Sequence, residues 1–466
     1  LHSKDLVNWK IVNYVFQKQI PEETFNKPQH GNGVWAPSIR FHDGFYYIYY
    51  GDPDFGIYMV KTKDPEGQWE KPHLVKEAKG WIDPSPLWDD DGKAYLVHAF
   101  AGSRSSIKSI LVIHEMSPDG RELLSDGVLV FDGHDDHPTI EGPKFYKRND
   151  YYYIFAPAGG VPTGWQTVLR SKNIYGPYED KIVMHQGNTD INGPHQGGWV
   201  TLNSGEDWFI HFQDKDAYGR IVHLQPMTWK DDWCVIGEDK NGDGIGEPVA
   251  TYRKPQVGVV VKPHGPQTSD DFSEPALGLQ WQWHANPEAT RAFVHGSDGF
   301  LRLYAKPMPE GNLWNAGNLL LQKFPAPEFS AVTKLSFHPN EKDPVKEKIS
   351  LLIMGRDYAY VTLEHYQDHF LIKMVECINA EKGTEEKEVS EIPVSTGDVF
   401  LKVKVSSRAM CQFAFSTDGI KFKDVGTPFK AREGKWIGAK VGLFASGTGK
   451  TNDSGYADID WFEIRK

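Results

Sequence analysis

Cysteine is scarce: Cys234, Cys377 and Cys411 are the only three in 466 residues. They are too few and too widely spaced for a disulfide framework or a metal-binding cysteine cluster. They read as free buried thiols, with a Cys377–Cys411 bridge as the alternative. Long apolar runs are also missing, and no stretch approaches the roughly 20 residues a membrane helix needs, so no membrane partner is expected. Positive charge is in deficit, with 51 Lys and Arg against 63 Asp and Glu and a net charge of -12. Such a surface does not neutralise phosphates, which excludes nucleic acid as the natural partner and favours a neutral ligand. The chain opens on Leu1 without a recognisable signal peptide, so localisation is left open.

Aromatic residues, by contrast, are abundant, at 13% of the chain with 15 Trp and 20 Tyr. Flat rings with a polar edge fill cores, and they also build sugar-binding clefts. Many of them sit in a repeat. The segment IEGPKFYKRNDYYYIFAP, from Ile140 to Pro157, combines a carboxylate, a Gly-Pro turn, a charged tip and a β-prone aromatic run. VWAPSIRFHDGFYYIYYG around Asp43 and WIDPSPLWDDDGKAYLVHAF around Asp91 have the same layout. Aligned on their turns (Gly44, Gly92, Asp150), the copies place Trp35, Asp83 and Glu141 at one position, nine residues earlier. A looser copy, NGPHQGGWVTLNSGEDWFIHFQD, places His195 two residues further back.

Copies at intervals of about fifty residues match propeller blades of four short strands. Each blade carries a later signal ending in Trp or Tyr, namely KDPEGQW from Lys63, KNIYGPY from Lys172 and MTWKDDW from Met227, with SPDGREL from Ser117 as the variant. KDLVNW, from Lys4 to Trp9, is the same signal with no aromatic strand before it. Extrapolating the repeat places roughly thirty residues of inner-strand sequence upstream of Leu1. The reading is therefore an all-β chain with a five-bladed β-propeller, its first blade incomplete at the N-terminus, over residues 1–250. A four-bladed propeller with an N-terminal arm is the alternative. Residues 251–269, rich in Pro and Gly, read as a linker. Over 270–466, alternating runs such as FLRLYA, YVTLEHY, HFLIKMV, VFLKVKV, CQFAFS and DIDWFEI predict a β-sandwich. The charged stretch from Asn379 to Glu391 is expected to be a solvated loop.

The innermost strands of a propeller line its axis, so equivalent positions converge. Trp35, Asp83, Glu141 and His195 are then expected around one axial pocket. Two carboxylates there suit glycoside hydrolysis, with Glu141 as proton donor and Asp83, ionised nearby, keeping it protonated. Each has a plainer reading: Glu141 as a satisfied turn carboxylate, Asp83 as a cap before Pro84, His195 and Trp35 as core residues.

The motifs IDPSPLWDDDGKAYL, IEGPKFYKRNDYYYI, GVWAPSIRFHDGFYYIYY, GPHQGGWV and YGRIVHLQP together resemble glycoside hydrolase family 43 across the whole propeller. The segment from DDFSEPALGLQWQWHANP to GYADIDWFEIRK resembles the concanavalin-like sandwich appended to that family's xylosidases and arabinofuranosidases. The resemblance implies an inverting mechanism with Glu141 as general acid and Asp83 as the carboxylate that tunes and orients it. It implies that Arg220 reaches a substrate hydroxyl, that Trp35 forms a sugar-stacking wall, and that His195 lies on the axis, bound directly or through water to calcium or another ion. The general base belongs to a first-blade motif, and no residue here is assigned to it, Asp5 being only an outer-strand aspartate. The expectation is that the chain as it stands hydrolyses poorly or not at all and that the upstream segment restores turnover.

The implied activity is exo-acting release of terminal xylose or arabinofuranose from xylan, arabinoxylan or arabinan oligosaccharides. The alternatives are a non-catalytic carbohydrate-binding propeller and an endo-arabinanase. No cofactor is required for the chemistry, and the partner is an oligosaccharide. A periplasmic or extracellular setting suits such work better than the cytoplasm. A structural calcium is expected, if anywhere, near Asp271, Asp458 and Asp460. The loop DKNGDGIGE from Asp239 has part of a calcium-loop spacing but Ala250 at its twelfth position, and reads as a tight turn.

Overall fold

The computed structural model describes residues 1–340, 345–449 and 452–466. Contacts divide the chain into two compact units: Leu1–Phe16, Asn32–Asp214 and Arg220–Gly265 form one, and Gln17–Gly31, Lys215–Gly219 and Pro266–Lys466 the other.

The first unit is a propeller. It opens with a two-stranded ladder of β1 (His2–Ser3) and β2 (Trp9–Lys10). Four antiparallel sheets follow, each with its strands in chain order. They are β3 (Trp35–His42), β4 (Phe45–Asp52), β5 (Gly56–Thr62) and β6 (His73–Glu77); then β7 (Trp81–Trp88), β8 (Ala94–Phe100), β9 (Ile110–Met116) and β10 (Val128–Asp132). The third sheet has β11 (Lys144–Arg148), β12 (Tyr151–Ala158), β13 (Trp165–Ser171) and β14 (Glu179–His185); the fourth has β15 (His195–Thr201), β16 (Asp207–Asp214), β17 (Arg220–Lys230) and β18 (Trp233–Ile236). The recurring Trp or Tyr signal lies at the passage from third to fourth strand, and in three copies its ring is tied back to a carbonyl three or four residues earlier. Trp9 Nε1 donates to Leu6 O, Trp69 Nε1 to Pro65 O and the Tyr178 hydroxyl to Ile174 O. By this turn, β1 and β2 are the third and fourth strands of a further blade, which makes the propeller five-bladed.

The three seams between these four sheets are apolar layers. Tyr47, Tyr49, Ile57 and Met59 face Ala94, Leu96 and Met116; Val97, Leu111 and Ile113 face Phe145, Ile154 and Leu169; Tyr153, Phe155 and Val168 face Phe209, Met227 and Ile236. The alternation of apolar residues along the middle strands supplies these faces, and each fully buried side chain contributes about 1.5–3 kcal/mol. Polar ties cross the seams near the axis. Arg40 donates to Ser85 Oγ and Phe145 O, and Ser38 Oγ to Pro84 O.

The second unit is a two-sheet sandwich. One seven-stranded sheet runs Gln282–Trp283, Leu320–Lys323, Lys440–Ser446, Val345–Met354, Tyr358–Tyr366, His369–Cys377 and Lys387–Val394. The other runs Ala292–His295, Phe300–Tyr304, Tyr456–Arg465, Phe329–His338, Asp398–Ser406, Met410–Ser416 and Lys423–Lys430. All six alternating runs of the sequence lie in these strands. The charged stretch does not remain a loop: Lys387–Val394 is an edge strand, held because Lys373 on its neighbour reaches both Glu388 and Glu391. Charge on a strand edge also discourages pairing with another chain. Cys377 and Cys411 lie in different sheets, and all three cysteines are free and buried. Within this unit Asn286 clasps the backbone of Gln19, and His30 stacks on Trp314 with centroids 3.7 Å apart.

Candidate active site

The first strand of each blade is interrupted near its start. Register shifts fall between Trp35 and Ser38, Ile82 and Ser85, and His195 and Gly198. In the third blade the Glu141 N–H bonds Pro157 O, and the regular ladder begins at Lys144. At each break one residue has a positive φ: Ala36 (35°), Asp83 (58°), Gly142 (61°) and Gln196 (49°). Pro37, Pro84 and Pro143 follow it in three blades, as suits a bulge, where a missing donor costs no ladder bond.

These bulges give the true equivalence of the blades. Trp35, Ile82, Glu141 and His195 share one position, and Ala36, Asp83, Gly142 and Gln196 the next. Asp83 is therefore one residue out of step with Glu141, and His195 is in step with it, which corrects the alignment on turns. The slip comes from the tips. Asp43–Gly44 and Asn149–Asp150 are two-residue turns, whereas five residues separate Trp88 from Ala94 and Thr201 from Asp207.

The offset decides the chemistry of Asp83. From its bulge the carboxylate reaches out of its own blade, and Oδ2 accepts from the Gly142 N–H of the third sheet at 2.7 Å and from Gln196 Nε2 of the fourth at 3.2 Å. Lys144 Nζ closes the network by donating to Gln196 Oε1 and Gly142 O, each at 3.2 Å. Asp83 is 2% exposed. Burial first, and the charge of Glu141 second, push its carboxyl up to about 6, against the opposing pull of Lys144 and the two hydrogen bonds. Burial likewise lowers Lys144 to about 8, offset by the charge of Asp83. Gly142 is required here, since a Cβ would meet the Gln196 amide at 2.8–2.9 Å on a backbone already in the left-handed region.

Glu141 is placed differently. Its Oε1 lies 2.8 Å from His195 Nε2, and its side chain is a quarter exposed, so the carboxyl is oriented by a buried ring yet open to a ligand. Arg220 is solvent-exposed, with its guanidinium 4.6 Å from the Phe212 ring, which packs on His195 at 5.7 Å. Although Arg220 presents surface to solvent, the protein crowded around its guanidinium partly desolvates it and lowers its pKa, while the charges of Asp214, Glu141 and Asp83 oppose that shift, so the guanidinium stands in the field of both carboxylates. Trp35 opens β3, packs on the seam and has the Arg104 guanidinium 5.8 Å from its ring.

The structure thus brings Asp83, Glu141, His195 and Arg220 into one interacting set. Lys144 and Gln196 belong to it too, although the sequence reading passed over them. Their signal was present: they are the third-blade and fourth-blade residues at and after the bulge.

His195 Nδ1 is buried without a hydrogen-bond partner. A hard cation takes six to eight oxygen ligands, and among the described residues no group of three or more His, Cys, Asp or Glu converges as a metal site. Nδ1 therefore fits contact with an ion through water better than direct ligation. Asp458 is held by Arg302 at 2.7 and 2.8 Å, Asp460 pairs with Lys334, and Asp271 accepts from Ser273. In the Asp239 loop the carboxylate accepts from the N–H groups of Gly242 and Gly244, as a tight turn requires.

Asp5 is saturated. It accepts from the backbone of Val7 and Asn8 and from the side chains of Ser3 and Asn8; burial opposes these bonds, which nonetheless hold its carboxyl down to about 2. It is a turn carboxylate between β1 and β2.

Residues 1–234 match the family described as "Glycosyl hydrolases family 43", and residues 269–465 match "Beta xylosidase C-terminal Concanavalin A-like domain". Over 453 residues the chain is 40% identical to a putative beta-xylosidase of Xylanibacter ruminicola, covering 96% of this chain and 80% of that one. It is 27% identical to a non-reducing end alpha-L-arabinofuranosidase of Bacteroides ovatus, covering 100% and 87%. The crystal structure of a xylan beta-1,4-xylosidase from Bacillus halodurans has the same fold, with a TM-score of 0.85 at 23% identity over 100% of this chain and 92% of that one. With two carboxylates of unlike environment on adjacent blades and a family match across the propeller, the chain belongs to glycosyl hydrolases family 43.

Proposed function

We propose that the protein is an exo-acting, inverting glycosidase that removes terminal xylose from xylan oligosaccharides, with terminal arabinofuranose as a second substrate. The observation that carries this reading is the division between Asp83, sealed and held by two hydrogen bonds in the field of Lys144, and Glu141, oriented but accessible. Glu141 gives its proton to the glycosidic oxygen as the bond from C1 to that oxygen breaks, while water attacks C1 from the opposite face and loses its proton to a base. No residue is assigned to that base. Asp83 acts as the orienting carboxylate, Arg220 donates to a substrate hydroxyl through its fixed planar fork, and Trp35 offers an apolar wall. The choice of xylose first rests on relatives that bear the name beta-xylosidase, at 40% and 32% identity. Arabinofuranose follows from the arabinofuranosidase relative.

The test is leaving-group dependence. In Glu141→Gln, hydrolysis of xylobiose falls by about 10²–10⁴, whereas a dinitrophenyl xyloside, whose leaving group needs no proton, loses far less. Equal losses on both would remove Glu141 from the acid role. Aryl β-xyloside and aryl α-arabinofuranoside assayed side by side rank the two sugars.

A further inference from the structure

Glu141 is delivered by a turn, and the turn is strained. In the segment after β10 the Ile140 N–H bonds His137 O at 3.0 Å, with Pro138 second in the turn. Thr139, third in it, has a φ of 61°. That position favours glycine, and a β-branched residue there is an outlier that persists only where its surroundings hold it. The main chain is held on both sides: the Thr139 N–H donates to Ser109 Oγ and the Gly159 N–H to Pro138 O, each at 2.8 Å. Glu141 follows the turn directly, and its own N–H bonds Pro157 O.

The first side chain of the turn, His137, is 3% exposed and joins it to two strands of the third blade. Its Nδ1 lies 3.2 Å from Trp165 Nε1 and 3.2 Å from Thr167 Oγ1, both on β13, and its Nε2 lies 2.8 Å from Asp180 Oδ2 on β14. An indole nitrogen only donates, so Nδ1 must present a lone pair, and the ring proton sits on Nε2, where it donates to the Asp180 carboxylate. Hydrogen bonds to a charged acceptor are the stronger ones. Both ends of the ring are therefore committed, in a single tautomer.

We propose that His137 is a positioning residue for Glu141: bridged between Trp165 and Asp180 as its Nε2–H tautomer, it fixes the strained turn from which the acid side chain projects. Asp180 serves the same device from the surface, with a side chain 45% exposed. The inference rests on Glu141 being the general acid, as proposed above.

The test uses two variants. Asp180→Ala removes the acceptor of Nε2–H from an exposed position, and His137→Asn keeps an acceptor for Trp165 but loses the reach to Asp180. Because a misplacement of about 1 Å can cost about a hundredfold, both should lose about tenfold to a hundredfold in kcat on xylobiose. KM should change little, and a dinitrophenyl xyloside, whose leaving group needs no proton, should be largely spared. Equal losses on the two substrates, or no loss on either, overturn the positioning role. A long-range ¹H–¹⁵N spectrum of the protein should show His137 Nδ1 unprotonated, and a protonated Nδ1 overturns the proposal as well. The His195 Nε2 resonance reports the 2.8 Å contact with Glu141 Oε1 and should move in Asp180→Ala whether or not a glycoside is hydrolysed; one that stays in place sinks the idea. If Glu141→Gln itself fails to separate the two substrates while the His195 resonance still moves in Asp180→Ala, the acid role of Glu141 falls and the positioning of its side chain stands.

Discussion

Asp83 Oδ2 accepts a 2.7 Å hydrogen bond from the backbone N–H of Gly142, the residue that follows Glu141. One contact thereby ties the two carboxylates' blades together, an Asp83 side chain on the Gly142 main chain. Asp83 must then stay ionised in a buried place beside another acid. Its raised pKa follows from burial and from the charge of Glu141, the combination by which a site shifts the pKa of a carboxylate.

The first prediction concerns the stability that this arrangement forgoes. The folded pKa of Asp83, about 6, lies above that of an unfolded aspartate. The side chain thus contributes stability that is fully present below about pH 4 and lost as pH rises through about 6. Asp83→Asn keeps an acceptor for Gly142 and removes the buried charge. At pH 7 it should raise unfolding stability on the order of 2 kcal/mol while lowering turnover about a hundredfold or more. Thermal unfolding and kcat measured together check this, and a variant less stable than wild type at pH 7 would refute it.

Lys144 is the buried cation nearest in effect to that charge. Removing it in Lys144→Met takes away the group that favours ionised Asp83, so the Asp83 midpoint should move up from about 6. Gln196 should also lose the donor that orients its amide, with turnover down about tenfold. Carboxyl ¹³C titration follows the midpoint directly, and one that stays fixed would separate Lys144 from Asp83.

Much of this architecture was readable in the chain. Alternation and turn spacing gave the blades, because period-two patterning follows directly from strand geometry. Glu141 and Asp83 stood out as carboxylates beside Gly-Pro and Pro. What the chain concealed was register. Turn lengths of two and five residues are equally compatible with a hairpin, so counting back from Gly92 misplaced Asp83 by one. Lys144 and Gln196 were missed because their action on Asp83 exists only across seams, on a residue more than fifty positions away. The Lys387–Val394 edge strand was hidden because its charges are paired by Lys373, a partner on another strand.

Gly197 tests whether the fourth-blade bulge, and not merely its residues, positions Glu141. It lies between Gln196 and Gly198, inside the break that starts at His195. A Cβ on Gly197 would enter the space of the Phe209 ring, which is fully buried and stacks on Phe155 at 6.0 Å. The ring cannot swing outward, so the bulge itself must shift. Gly197→Ala should therefore cost about 1–3 kcal/mol, the usual range for overpacking. Because His195 sits two residues away on the same distortion, turnover should fall as its 2.8 Å contact with Glu141 is displaced. Phe209→Leu shortens the obstructing side chain. Combined with Gly197→Ala it should recover part of both losses, a coupling that a double-mutant cycle reads as non-additivity. If Gly197→Ala unfolds and turns over like wild type, the bulge tolerates a side chain and does not set the position of Glu141.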